Sequence, residues 1–131
     1  MRRLLRWALC AALLAWDSGA AWAHAIILES EPLAGAKLAA PPARIYLRFN
    51  SKLEKRLSSV TLTSAEGRPV PLPVVGAGDA SPERIVLPLR KLRPGAYVVR
   101  YKVLAVDGHI TEGALRFAVQ EPVVGPRVGP R

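Results

Sequence analysis

The clearest pattern along this 131-residue chain is an alternation of apolar and polar positions that recurs in short runs. Ile45, Leu47 and Phe49 alternate with Tyr46 and Arg48, so the first three share one side of a strand and the other two face away. Val60 and Leu62 repeat the pattern, as do Leu115, Phe117 and Val119. The longest run sets Tyr97, Val99, Tyr101 and Val103 on one face and Arg100 and Lys102 on the other. Beyond residue 23 no stretch keeps a helical period. The pattern predicts strands near 24–29, 44–49, 59–63, 70–74, 84–89, 96–106 and 114–119, and seven short strands predict an all-β sandwich whose like-facing apolar residues form one core.

Turn chemistry punctuates the same scheme. Ala65-Glu66-Gly67 suits a hairpin in which glycine takes positive φ, and Arg93-Pro94-Gly95 suits a tight turn with proline at its first central position. Pro69, Pro71 and Pro73 share one parity, so they remove donors along a single side of their strand. That side cannot pair, and the strand is expected at a sheet edge.

The first 23 residues follow another pattern. Arg2, Arg3 and Arg6 precede an apolar run from Trp7 to Trp16, and a small-residue stretch ends in Ala21-Trp22-Ala23. This is the layout of a cleaved secretory signal peptide. The apolar run is about half the roughly 20 residues that a membrane-spanning helix needs. Arg2-Arg3 is too slight a pair to choose between export routes. Residues 24–119 are then one β-domain, and 120–131, with its repeated Gly-Pro-Arg, is expected to be a disordered tail.

Processing changes the composition more than the length. It removes the single cysteine, Cys10, the single methionine, Met1, and all three tryptophans. The remainder has no disulfide to staple it, so its stability must come from the core. It also lacks the soft sulfur ligands that Cu(I) prefers. The full chain carries a net charge of +9, and what remains after cleavage is still basic, which fits an anionic surface or partner. Nucleic acid is not expected, because the basic residues are scattered and match no binding motif.

The candidate chemistry lies in two histidines, His24 and His109, the only ones in the chain. Cleavage after Ala23 makes His24 the first residue, where one residue offers both an α-amino nitrogen and an imidazole to a metal. His109 closes Asp107-Gly108-His109, in which a glycine turn lets a carboxylate and an imidazole converge. An amine, two imidazoles and a carboxylate make an N3O set suited to tetragonal Cu(II). Taken singly, Asp-Gly is an ordinary turn dipeptide and each histidine an ordinary polar residue.

The residues also resemble the CopC-type periplasmic copper-binding family. The likeness runs from His24-Ala25 through Glu29-Ser30-Glu31-Pro32-Leu33-Ala34-Gly35-Ala36, Ala40-Pro41-Pro42-Ala43 and Ile45-Tyr46-Leu47-Arg48-Phe49. It continues through Ser59-Val60-Thr61-Leu62-Thr63 and Glu66-Gly67-Arg68-Pro69-Val70, then Pro94-Gly95, Tyr97-Val98-Val99-Arg100-Tyr101, Asp107-Gly108-His109 and Gly113-Ala114-Leu115-Arg116-Phe117. The resemblance implies a seven-stranded Greek-key sandwich, cupredoxin-like or immunoglobulin-like, holding one Cu(II) through His24, Asp107 and His109. It implies a monomeric periplasmic protein of copper resistance or homeostasis, with no turnover of its own. Copper would be sequestered or passed to a separate CopD-type inner-membrane protein. A methionine-rich Cu(I) site found in some relatives is not expected here.

Two other readings compete with it. Oxidative copper enzymes also use an N-terminal histidine and a second histidine, and an immunoglobulin-like adhesion module could carry both by accident. Every metal-binding step depends on where the exported chain begins. Intact-mass measurement of the exported protein should give a chain starting at His24, and a mass that retains residues 1–23 would refute the predicted cut.

Overall fold

The structure, a computed structural model, describes residues 24–78, 80–123 and 125. The signal peptide expected over residues 1–23 lies outside the described residues, as do residues 124 and 126–131 of the expected tail. Among the described residues eight strands form the domain: β1 (Ile27–Glu31), β2 (Lys37–Leu38), β3 (Arg44–Phe49), β4 (Ser59–Ser64), β5 (Pro69–Val70), β6 (Arg84–Pro88), β7 (Gly95–Leu104) and β8 (Ile110–Val119). They make a three-stranded sheet, β1-β3-β6, and a five-stranded sheet, β2-β8-β7-β4-β5. The later strands β6 and β7 return beside β3 and β4, which are the crossovers of a Greek key.

The alternation read from the sequence is what closes the sandwich. Ile45, Leu47 and Phe49 are buried from one sheet, and Val60, Leu62, Val99, Val103, Leu115, Phe117 and Val119 from the other. Leu53, Ala105 and Leu92 complete the same core from the loops and strand ends. The opposite faces are charged. On β1 and β3, Arg44 pairs with Glu31 at 2.9 Å and Arg48 with Glu29 at 2.6 Å, while Arg44 lies over the Tyr46 ring at 5.3 Å. The hydrogen bond from Arg48 holds the Glu29 carboxyl below the usual glutamate range. Its contribution is therefore present above that range and lost as pH falls, but a solvent-exposed pair of this kind contributes little.

Four strands depart from the expected scheme: the strand expected over 24–29 spans Ile27–Glu31, which leaves His24 ahead of it, and three others differ for local reasons. The sequence predicts seven strands, and the eighth is β2, a two-residue parallel strand too short to show alternation. Backbone bonds set its register: Gly35 N–H donates to Arg116 C=O at 2.7 Å, and Ala118 N–H donates to Ala36 C=O at 2.9 Å. The strand expected over 70–74 shrinks to Pro69–Val70 because Pro71 and Pro73 lack the donors to extend it. It does lie at the sheet edge, pairing only with β4. The strand expected over 114–119 begins four residues earlier, at Ile110. Gly113 interrupts its pattern but not its backbone, because the Tyr101 ring across the ladder covers the glycine where a Cβ would overlap the phenol.

Near the start of β7, Tyr97 is buried and its hydroxyl donates to Arg93 C=O at 2.8 Å, fixing the turn at Pro94-Gly95. This is the tyrosine corner of immunoglobulin-like sandwiches. In urea denaturation Leu47→Ala should lose about 2–5 kcal/mol, since Leu47 has no exposed surface and leaves a cavity. Tyr97→Phe should lose only about 0.5–1.5 kcal/mol, the net worth of one hydrogen bond. Equal losses for the two would contradict this division of roles.

Candidate metal centre

Four strand ends meet at one end of the sandwich. β1 starts there and β3 finishes there, paired Ile27 to Phe49; β7 finishes there and β8 starts there, paired Leu104 to Ile110. His24 precedes β1, and Asp107-Gly108-His109 joins β7 to β8. All three residues singled out in the sequence therefore sit at this end.

The Asp107-Gly108-His109 turn is locked by its own backbone. Gly108 takes φ +91°, a conformation that favours glycine, and its N–H donates to Ala105 C=O at 2.9 Å. Ala105 N–H donates to His109 C=O at 2.9 Å, closing the hairpin. Asp107 Oδ1 accepts from His109 N–H at 3.0 Å and lies 3.2 Å from His109 Nδ1. The Asp107 carboxyl is held below the usual carboxylate range, first by that backbone hydrogen bond, against a smaller opposing effect of desolvation, and then by the imidazole. It stands as an anion beside the ring.

His24 comes to the same place from the other sheet. Its ring centroid is 6.0 Å from that of His109, with the planes at 74°. Ala25 next to it is almost wholly buried, and Ile26 is bracketed by Asn50: Ile26 N–H donates to Asn50 Oδ1 at 2.8 Å, and Asn50 N–H donates to Ile26 C=O at 3.1 Å. The residues after Asn50 grip the other half. Val106 N–H donates to Lys52 C=O at 3.0 Å, Leu53 forms an antiparallel bridge with Ala105, and Glu54 N–H donates to Leu104 C=O at 2.8 Å. One five-residue connector, 50–54, thus ties the His24 side to the Asp107–His109 side.

That connector is what the sequence reading lacks. Asn50-Ser51 after a strand is a turn signal, but nothing local shows that an asparagine side chain will pair with a segment far earlier in the chain. The one local signal is residue type, since Asn carries a donor and an acceptor resembling a peptide group.

The donor types fit a borderline metal: two imidazoles and one carboxylate, with no sulfur. Among the described residues, no three His, Cys, Asp or Glu side chains are gathered closely enough to hold an ion as they stand. In the full chain His24 nitrogen is part of the peptide bond to Ala23, so an amine donor exists only once that bond is cut. A hollow lined by Pro71, Leu72, Pro88 and Leu89 lies toward the opposite end, where β3 begins, and brings no metal-ligating side chain.

A two-sheet Greek-key sandwich with His, Asp and His at one end defines the class of protein. Within that class the comparison is specific: the model of the CopC domain matches residues 27–120, and the chain belongs to the CopC family. It is similar to protein YobA of Escherichia coli, with 30% identity over 90% of this chain and 96% of the relative. It is also similar to copper resistance protein C of Xanthomonas campestris pv. juglandis, with 34% identity over 79% of this chain and 85% of the relative. Among solved structures, CopC from Methylosinus trichosporium OB3b superposes with a TM-score of 0.67 at 33% identity, covering 74% of this chain and 94% of that one. PcoC, a methionine-rich copper resistance protein from Escherichia coli, superposes at 0.65 with 30% identity, covering 75% of this chain and 100% of its own. The sole methionine here is Met1, so the methionine richness of that relative is not shared.

Gly108→Ala should lower the stability of the metal-free protein by about 1–2 kcal/mol in urea denaturation, because a side chain at φ +91° is strained. An unchanged midpoint would mean that the turn does not need the conformation it shows.

Proposed function

We propose that the chain is a periplasmic Cu(II)-binding protein that sequesters copper, or passes it to a separate CopD-type membrane protein, with no turnover of its own. The observation that carries this reading is the approach of the His24 and His109 rings to 6.0 Å, with the Asp107 carboxylate 3.2 Å from His109. His24 and the Asp107–His109 turn are remote in sequence and flank strands of different sheets, yet they lie at the same end of the sandwich. The named copper resistance relatives support copper as the cargo.

In this reading signal-peptide cleavage finishes the site. It frees the His24 amine, so one residue closes a chelate ring through amine and imidazole, and His109 adds the second imidazole. Asp107, kept ionised by the His109 backbone N–H, cancels part of the dication's charge. The set is three nitrogens and one oxygen for one Cu(II) ion. A largely filled coordination plane suits holding and handing on an ion better than activating oxygen. Protons compete for the amine and both imidazoles, so affinity falls as the pH drops.

Competition titration with a chromogenic Cu(II) chelator tests the proposal. The chain beginning at His24 should bind one Cu(II), and a form extended by a few residues before His24, or the His109→Ala variant, should bind at least about tenfold more weakly. Copper should also raise the melting temperature, by mass action on the folded state. Equal affinity for the free and extended termini would sink the assignment of His24.

A further inference from the structure

The bracket around Ile26 does more than anchor the strand. Past the last ladder pair, Ile27 with Phe49, the Asn50 side chain takes the place of a neighbouring peptide. Its Oδ1 accepts from Ile26 N–H at 2.8 Å and also from the Ser51 hydroxyl at 3.4 Å, while Asn50 N–H holds Ile26 C=O at 3.1 Å. Both polar groups of the Ile26 backbone are therefore engaged two residues beyond His24, and buried Ala25 fixes the step between.

This matters because Cu(II) has a second way to bind a free N-terminus. On a flexible peptide the amine starts a square-planar chelate, and the metal then displaces the protons of the next backbone amides, binding their nitrogens. Each displaced proton leaves to solvent and no electron moves. Such a chelate needs the backbone to wrap around the ion and needs the amide protons to be replaceable. It fills the coordination plane from the terminus alone and has no use for His109.

We propose that Asn50 is a positioning residue that selects the mode of copper binding: by holding the Ile26 N–H and C=O it keeps the Ile26 amide out of the coordination sphere, so that the terminus cannot wrap the ion, and keeps the His24 chelate facing His109 and Asp107. The inference rests on the Cu(II)-binding function proposed above. Asn50 itself is not a ligand. Its role is to deny the terminus the freedom to wrap.

The test uses the chain beginning at His24, with Cu(II) alone as the probe, followed by visible absorption and circular dichroism from mildly acidic to alkaline pH. The wild-type ligand-field band should hold its position across the range. In Asn50→Ala it should move to shorter wavelength as pH rises, the signature of added amide nitrogens, and affinity at neutral pH should fall by about tenfold. Asn50→Asp, which keeps an acceptor oxygen at the same reach, should keep the wild-type profile. A wild-type band position, pH profile and affinity in Asn50→Ala would overturn the inference and leave the copper-binding function standing. Failure of the wild type itself to bind Cu(II) would overturn both. Hydrogen exchange of the metal-free wild type supplies a check that needs no variant: the Ile26 amide should be protected, and exchange at the rate of an unstructured peptide would overturn the role given to Asn50.

Discussion

The whole candidate metal end depends on the five-residue connector 50–54. A sandwich core brings two sheets together but does not by itself align a loose terminus on one with a turn on the other. The connector does so with backbone and side-chain hydrogen bonds in both directions, to Ile26 on one side and to Leu104 and Val106 on the other. Buried Leu53 between them, bridged to Ala105, roots the connector in the core. Two imidazoles remote in sequence can then meet at 6.0 Å without either residing in a rigid strand.

The division of labour along the chain follows from this. The inner faces of β3, β4, β7 and β8 supply stability, in place of the disulfides that the chain cannot form. The outer faces carry charge that is paired locally, as in Arg44 with Glu31, Arg48 with Glu29 and Lys102 with Glu112. The candidate metal-binding residues lie at one end, where the backbone must leave one strand and enter another. That is where proteins commonly place functional groups, because a rigid scaffold fixes the positions of loop side chains.

Much of the architecture was legible in the sequence because burial enforces a period of two. The alternation gives β3 to the residue, and its inner and outer faces from Ile45 to Phe49. β2 leaves no trace because parallel pairing over two residues needs no side-chain pattern, and the first half of β8 is hidden because Gly113 is not apolar, although Tyr101 supplies the missing bulk. The site divides in the same way. Asp107-Gly108-His109 is legible because turn chemistry is local, and His24 because the small-residue junction before it is local. Asn50 is not, since its partner Ile26 is assigned by topology rather than by spacing.

The central claim is that one copper ion unites the two histidines. Electron spin-echo envelope modulation of the Cu(II)-loaded chain beginning at His24 counts bound imidazoles directly. The account predicts two equatorial imidazoles, falling to one in His109→Ala. A wild-type spectrum with a single imidazole, unchanged by that substitution, would contradict it.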